Sequence, residues 1–396
     1  MQQKKILILM SNTGGGHRAS AEALKVGFAQ CFGDRFRVDI IDLLMDYLPI
    51  PLNQLPKSYS FLANDATWLW KLLWESGDYP GLLQFLGEIV PRITEKSVRR
   101  VFRQFAPDLI ISVHPLVHEI ALRPLARMGR RIPFVTVVTD LASIHPLWLH
   151  PAVDACYVAS DEAYQRALEA GLQPAQLHLF GLPVGPAFAT PARPKAILRQ
   201  ELGMHPSLPA TLVVGGGEGI GPVAEIAQHI ARRLFSRGRA QGQLVIICGS
   251  NQRLREKLAD QTWPIPTVIN GFVNNMPEWM AACDCIITKA GPGTIAEALS
   301  RGLPIVLSGF IPGQEEGNVP YVVNNQVGVH CEDPAAIAKI VQRWFGSDQS
   351  TLQKMARNAR QLGHPQATFQ IVESIASLLN VSMVTDEQPE VRKALI

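Results

Sequence analysis

His17 follows three consecutive glycines, in ILILMSNTGGGHRASAEAL (6–24). An apolar run, a glycine turn and a helix-like stretch usually cradle a phosphate, because the first N–H groups of a helix have no partners. Gly14, Gly16 and Ala19 fit the dinucleotide spacing G-x-G-x-x-A, and Asp39 and Asp42 stand downstream where a ribose-binding acid belongs. The spacing therefore admits a nicotinamide-dependent oxidoreductase. His17 opposes that reading, because its ring crowds the position of the pyrophosphate. A helix dipole disfavours the imidazolium at this end, and a neutral imidazole is what a general base needs near pH 7. A histidine merely hydrogen-bonded at a helix start is the plainer alternative, and the residues alone leave both open.

Better phosphate sites lie in the second half. In VVGGGEGIGPVAE (213–225) the residues Gly216, Gly217, Glu218, Gly219 and Gly221 form a turn between a strand and a helix. In IITKAGPGTIAEALSRGLPIVL (286–307) a strand meets Gly291 and Gly293, with a helix expected to open at Thr294. The N–H groups of Gly293 and Thr294 suit a diphosphate, and Lys289 could neutralise it. Glu297 lies one turn inside that helix, where Thr294 and Glu297 also match a capping box. The polar loop 308–326 carries Gln314, Glu315, Glu316 and Asn318, hydrogen-bonding groups suited to sugar hydroxyls. It follows a strand at the edge where open α/β sheets bind ligands. Two histidine-rich stretches remain, SVHPLVHE with His114 and His118, and VVTDLASIHPLWLHP with Asp140, His145 and His150. Neither has an H-E-x-x-H pattern or a cysteine partner, so no metal site is expected.

Short β-branched runs alternating with helical periodicity must position these groups. The strands expected are Lys5–Met10, Arg37–Ile41, Leu109–Val113, Phe134–Val138 and Ala155–Ala159, then Thr211–Val214, Leu244–Cys248, Thr267–Ile269, Cys285–Thr288, Ile305–Leu307 and Val327–His330. Such runs predict parallel sheets covered on both faces. The stretch GLPVGPAFATPARPKA (181–196) is rich in proline and reads as a linker, since proline ends both ladders and helices. The expected architecture is α/β, with two Rossmann-like doubly wound domains facing each other across a cleft. Their expected bounds are 1–185 and 186–380, with a flexible tail at 381–396.

A chain of 396 residues is long enough for two such domains. Its net charge of +3 is evenly spread, which leaves no basic field for nucleic acid. The six cysteines are scattered with no C-x-x-C pair, as expected of reduced, buried thiols in a cytosolic protein. No stretch reads as a signal peptide or a membrane span. Residues 46–91 are too long for a simple crossover and concentrate Tyr47, Tyr59, Phe61, Trp68, Trp70, Trp74, Tyr79 and Phe85. Arg92, Lys96, Arg99, Arg100 and Arg103 follow at helical spacing. Aromatic and basic groups so arranged favour an anionic membrane surface; a helical subdomain with a solvated basic face is the alternative.

Taken together, MSNTGGGHRASAEA, ISVHPL, VVTDLASIHPLWLHP, FGLPV, GGGEGIGPV, CDCIITKAGPGTIAEAL and PGQEEGNVPYVV resemble the monogalactosyldiacylglycerol synthase family, relatives of the lipid-II-forming MurG. The resemblance runs through nearly the whole chain. It implies a GT-B fold, with the acceptor on the N-terminal domain and a UDP-hexose donor on the C-terminal one. UDP would lie on Gly216–Gly221 and Gly293–Thr294, with Phe272 near the uracil and Glu297 on the ribose. Lys289 and Gly291 would flank the diphosphate, and Gln314 and Glu315 would reach the hexose. His17 would deprotonate the diacylglycerol hydroxyl, with Gly15, Gly16, His114, Asp140 and His145 on the acceptor side. The product would be a β-linked glycolipid, formed by inversion from UDP-galactose or UDP-glucose. No tightly bound cofactor is implied, and the location implied is peripheral, on the cytoplasmic side of a membrane. A UDP-sugar epimerase of the same fold is the alternative. One departure is visible: family members carry Asp where this chain has Asn12.

Overall fold

The computed structural model describes residues 3–13, 15–54, 56, 68–69, 80–129, 131–219 and 221–383, with side chains at 80–89 and 91 left out. Of the expected membrane-facing aromatics, Tyr59, Phe61, Trp70, Trp74 and Tyr79 lie outside the described residues, as do Gly14 and the tail from 384. The chain forms two compact units. One runs to Pro186 and regains Ile311–Gln314 and the chain from Gln366; the other comprises Ala187–Phe310 and Glu315–Pro365.

The first unit holds six parallel strands: β1 (Lys4–Met10), β2 (Phe36–Asp42), β3 (Leu109–Ser112), β4 (Phe134–Val137), β5 (Ala155–Val158) and β6 (Leu177–Leu179). Their order is β2-β1-β3-β4-β5-β6, so the chain leaves β1 in both directions, the doubly wound pattern. Side chains on β1 alternate between two cores because successive strand residues face opposite ways. Ile6, Ile8 and Met10 pack with Leu24, Phe28 and Phe32 of the helix Gly15–Phe32. Leu7 and Leu9 face Val98, Val101 and Phe102 of the helix Pro80–Phe105.

In the second unit β7 (Ala210–Val214) begins a sheet that continues, after the short hairpin β8 (Phe235–Ser236) and β9 (Arg239–Ala240), with β10 (Gln243–Ile247) and β11 (Thr267–Asn270). It is completed by β12 (Cys285–Thr288), β13 (Ile305–Leu307) and β14 (Gly328–His330). The order β11-β10-β7-β12-β13-β14 repeats the plan of the first sheet, with parallel pairing throughout. Every expected strand is present. The strands unforeseen, β6, β8 and β9, are three residues or fewer, too short for a period to register. The cysteines are free, and Cys156, Cys248, Cys283 and Cys285 are buried.

The second domain was expected to extend to 380, but the last described helix, Ala367–Ser377, belongs to the first unit. Ile371, Val372, Ile375 and Ala376 complete the core beneath Ile6 and Ile8. Tyr157 and Ser374 hydroxyls lie 2.9 Å apart, and Thr368 donates to the Val184 carbonyl at 2.5 Å. Sequence-local patterns carry no information about which sheet a terminal amphipathic helix covers. Residues 381–383 are also tied down rather than free, since Arg35 donates to the Ser382 carbonyl at 2.6 Å. The proline-rich linker is held to the second unit by Arg301, which donates to the carbonyls of Ala187 and Thr190.

Gly27 marks the crossing of the first and last helices. A Cβ there would stand 2.8 Å from Thr368 Cγ2 and 3.3 Å from Val372 Cγ1. Gly27→Leu should therefore destabilise the chain by about 2 kcal/mol through overpacking, lowering the midpoint of thermal unfolding by roughly 4–8 °C.

Candidate active site

The loop between β1 and its helix is fastened by a buried carboxylate at the end of β2. Asp42 Oδ1 accepts from the Ser11 hydroxyl at 3.1 Å and from Met45 N–H at 2.9 Å, while Oδ2 accepts from Asn12 N–H at 2.8 Å. A dinucleotide enzyme would need this acid for a ribose, but both oxygens are occupied. Asp39 is paired with Arg37. The expectation of a phosphate-cradling dinucleotide loop thus loses both its acids. Asn12 presents an exposed side chain, and only its N–H engages Asp42. A Cβ on Gly15 or Gly16 would meet no described heavy atom within 4 Å, so open space lies beside these glycines.

His17 is buried in the first turn of the helix. Its Nδ1 lies 2.7 Å from Thr139 Oγ1, just after β4, and its ring centroid is 4.7 Å from that of His114 and 6.0 Å from that of Trp148. Removal from water lowers its pKa to about 4, opposed only partly by a hydrogen bond to the Val113 carbonyl. His114 is held well below the ordinary histidine value by burial and by its neighbours His17 and His118, and burial brings His118 to about 4. Three adjacent imidazoles are therefore uncharged at neutral pH.

His114, His145 and His150 owe their place to a recurrent turn. In His114-Pro115-Leu116, His145-Pro146-Leu147 and His150-Pro151-Ala152 the histidine Nδ1 accepts from the N–H two residues on, at 3.3, 3.2 and 3.1 Å. Each proline supplies a fixed φ and no competing donor. His114 then carries its proton on Nε2, facing Thr13 Oγ1 at 2.8 Å. Asp140 accepts from the indole of the fully buried Trp148 at 2.6 Å. Hence the structure brings His17 and His114 into contact, with Asp140 one residue beyond Thr139. His145 is a buried turn cap on the segment leading to Trp148. Thr139 and Trp148, which line up the His17 ring, escaped sequence reasoning. Their only signal is the Thr-Asp pair at the end of a strand.

In the second unit the glycine loops converge at the C-terminal ends of neighbouring strands. Gly216, Gly219 and Gly221 have positive φ, and a Cβ on Gly219 would lie 2.3 Å from the Cys248 carbonyl oxygen. A Cβ on Gly216 would lie 3.5 Å from Lys289 Cε, and one on Gly291 would lie 3.3 Å from Lys289 Nζ. Lys289 thus stands beside both loops. It pairs with buried Glu315. Gly217 and Glu218 are exposed; Gln314, which counts with the first unit, is half-buried on the turn 312–317.

The expected helix start needs correction. The helix is Pro292–Ser300, with Gly291 as its N-cap and proline at its first position. Proline's φ and missing donor suit that position, so Thr294 is inside the first turn and the capping-box reading fails. Gly293 and Thr294 keep N–H groups that lack helical partners. Glu297 is half-buried, and desolvation raises its pKa to about 7. Phe272, in the loop after β11, is 71% exposed. Among the described residues no cluster of His, Cys, Asp or Glu could hold a metal ion.

Residues 17–184 match the family model for monogalactosyldiacylglycerol (MGDG) synthase, and residues 210–371 match that for the glycosyltransferase family 28 C-terminal domain. Monogalactosyldiacylglycerol synthase 1 of Arabidopsis thaliana is 49% identical over 95% of this chain and 71% of its own length. The enzyme of Spinacia oleracea is 47% identical over 95% of this chain and 73% of its own. Among solved structures, Acinetobacter baumannii MurG aligns over 94% of this chain and 99% of its own at a TM-score of 0.59 and 17% identity. The UDP co-structure of S. aureus MnaA aligns over 98% and 99% at a TM-score of 0.62 and 15% identity. These structural likenesses establish the fold as GT-B.

Buried neutral histidines make the fold acid-sensitive. In the unfolded chain His17 and His118 titrate near 6.5, and in the folded chain near 4. Between these values the unfolded state binds more protons, so their stabilising contribution is complete above about pH 6.5 and is lost as pH falls towards 4. Urea unfolding at pH 7, 5.5 and 4.5 should show a progressive loss, bounded by about 3 kcal/mol per ring.

Proposed function

The chain belongs to the monogalactosyldiacylglycerol synthase family, and from that premise we propose that it moves galactose from UDP-galactose to 1,2-diacylglycerol, giving a β-linked membrane glycolipid. It is a hexosyltransferase of GT-B fold. The observation that carries the chemistry is His17, buried and uncharged, following two glycines whose Cβ positions are open. A general base must be unprotonated and within reach of the proton it takes. His17 removes the proton from the diacylglycerol hydroxyl as that oxygen attacks the anomeric carbon. The bond to UDP breaks in the same displacement, and an α-linked donor yields a β-linked product.

The second unit takes the donor. The diphosphate lies at Gly293 and Thr294, where unpaired N–H groups and the helix dipole meet its charge. Lys289 adds a cation, and the turn Gly216–Gly221 lies alongside. Glu297 accepts from the ribose hydroxyls, and the exposed ring of Phe272 offers a face to the uracil. Gln314 and Glu315 lie on the hexose side. Gly15, Gly16, His114, Asp140 and His145 shape the acceptor side of the first unit.

The choice of galactose over glucose rests on relatives named for galactose at 47–49% identity. An epimerase is disfavoured, because structures of that class carry only the fold, at 13% identity. No described helix is long and apolar enough to cross a membrane. Trp68, 73% exposed, and the exposed side chains of Arg92, Lys96, Arg100 and Arg103 on one helix support peripheral docking on an anionic membrane surface, and the side proposed for it is the cytoplasmic one.

Vesicles containing diacylglycerol, supplied separately with UDP-galactose and UDP-glucose, test the reading. Galactolipid from the first is expected, and absence of glycolipid from both would overturn it. His17→Ala should lower turnover by about 10²–10⁴-fold with UDP binding intact by calorimetry. Glu297→Ala should instead weaken UDP binding roughly tenfold or more, as loss of a charged hydrogen bond does.

A further inference from the structure

We propose that Thr139 is a positioning residue for the transfer, holding His17 in the tautomer whose Nε2 lone pair is free to take the acceptor's proton. The proposal rests on His17 being the base. Its ground is the set of atoms around Nδ1. Thr139 Oγ1 is 2.7 Å away. A carbonyl oxygen only accepts. The Thr139 hydroxyl donates to the Val113 carbonyl at 3.5 Å, so its hydrogen has a destination and its oxygen can accept from Nδ1–H. The proton of neutral His17 therefore belongs on Nδ1.

The neighbouring ring shows that this is not a general property of the site. His114 Nδ1 accepts from Leu116 N–H, which forces its proton to Nε2, the tautomer that would disable a base acting through Nε2. The difference between the two rings comes from their partners, an N–H for one and a hydroxyl oxygen for the other. Asp140, the next residue, holds Trp148 at 2.6 Å, and the Trp148 ring lies 6.0 Å from that of His17. Residues 139 and 140 thus orient the base from its edge and through the ring packed beside it.

A hydroxyl in place of the more usual carboxylate partner has a consequence. It fixes the tautomer without stabilising the cation of the resting enzyme, so His17 waits unprotonated. When the hydroxyl proton passes to Nε2, the new C–O bond forms and the bond to the diphosphate breaks. The imidazolium then leans on Thr139 through Nδ1–H.

Thr139→Val keeps the shape of the side chain and removes the hydroxyl, whereas Thr139→Ser keeps the hydroxyl. With the full chain and diacylglycerol vesicles, Thr139→Val should lower kcat roughly 10–100-fold, the usual cost of losing an orienting partner, with the KM for UDP-galactose unchanged. Thr139→Ser should restore most of that loss. Equal activity of Thr139→Val and the parent, or equal impairment of both variants, would overturn the proposal. Nitrogen-15 spectra of the parent chain supply a measurement independent of variant folding. They should show His17 protonated on Nδ1 at pH 7, and protonation on Nε2 would overturn the proposal. An inactive His17→Ala beside a fully active Thr139→Val would defeat this proposal alone, whereas an active His17→Ala would defeat the base reading beneath it.

Discussion

Taking the imidazole of His17 out of water disfavours its cation, and the surroundings of the first sheet's C-terminal edge follow from that. The free energy needed to charge a buried ring falls only when an opposite charge or an acceptor faces it. Here the partners are neutral: a threonine hydroxyl, a backbone carbonyl and a second uncharged histidine, His114. Such a site keeps a base unprotonated in the resting protein and concentrates the cost of its charge in the step that makes it. The neighbouring anion, Asp42, is spent on other work, tying Ser11, Asn12 and Met45 so that the loop before His17 has one shape.

The two units solve different electrostatic problems with the same architecture. Both present loops at the C-terminal ends of parallel strands, the position open to ligands in doubly wound sheets. In the first unit those loops carry neutral imidazoles held by hydroxyls and peptide groups. In the second they carry glycines whose backbones approach closely, a helix start without a side-chain cap, and a lysine fastened to a buried glutamate. One set suits proton removal and the other suits a diphosphate. The division of labour lies in the loops, while the sheets beneath are built alike.

Family membership and geometry bear on different parts of the function. The 49% identity over 95% of the chain speaks to the substrates, which no side chain of the described loops identifies by itself. The structural neighbours, at 15–17% identity, speak to the fold. The local geometry speaks to how a proton is held and moved.

Much of this was legible in the sequence for a plain reason: strands buried on both faces must be apolar throughout, and the turns that follow them need glycine wherever φ is positive. The β-branched runs and the glycines at 216, 219 and 221 announce themselves in that way. The histidine at 17 does so too, being out of character in a phosphate-type loop. What the sequence left undetermined depends on residues far apart in the chain. Thr139 is 122 residues from His17, and an isolated threonine after a strand has no pattern of its own. The helix Ala367–Ser377 covers the first sheet rather than the second, because its apolar face fits Gly27 and not because of anything beside it in sequence. Local periodicity sets what each segment becomes; only the tertiary contacts decide which segments meet, and therefore which nitrogen of His17 carries its proton.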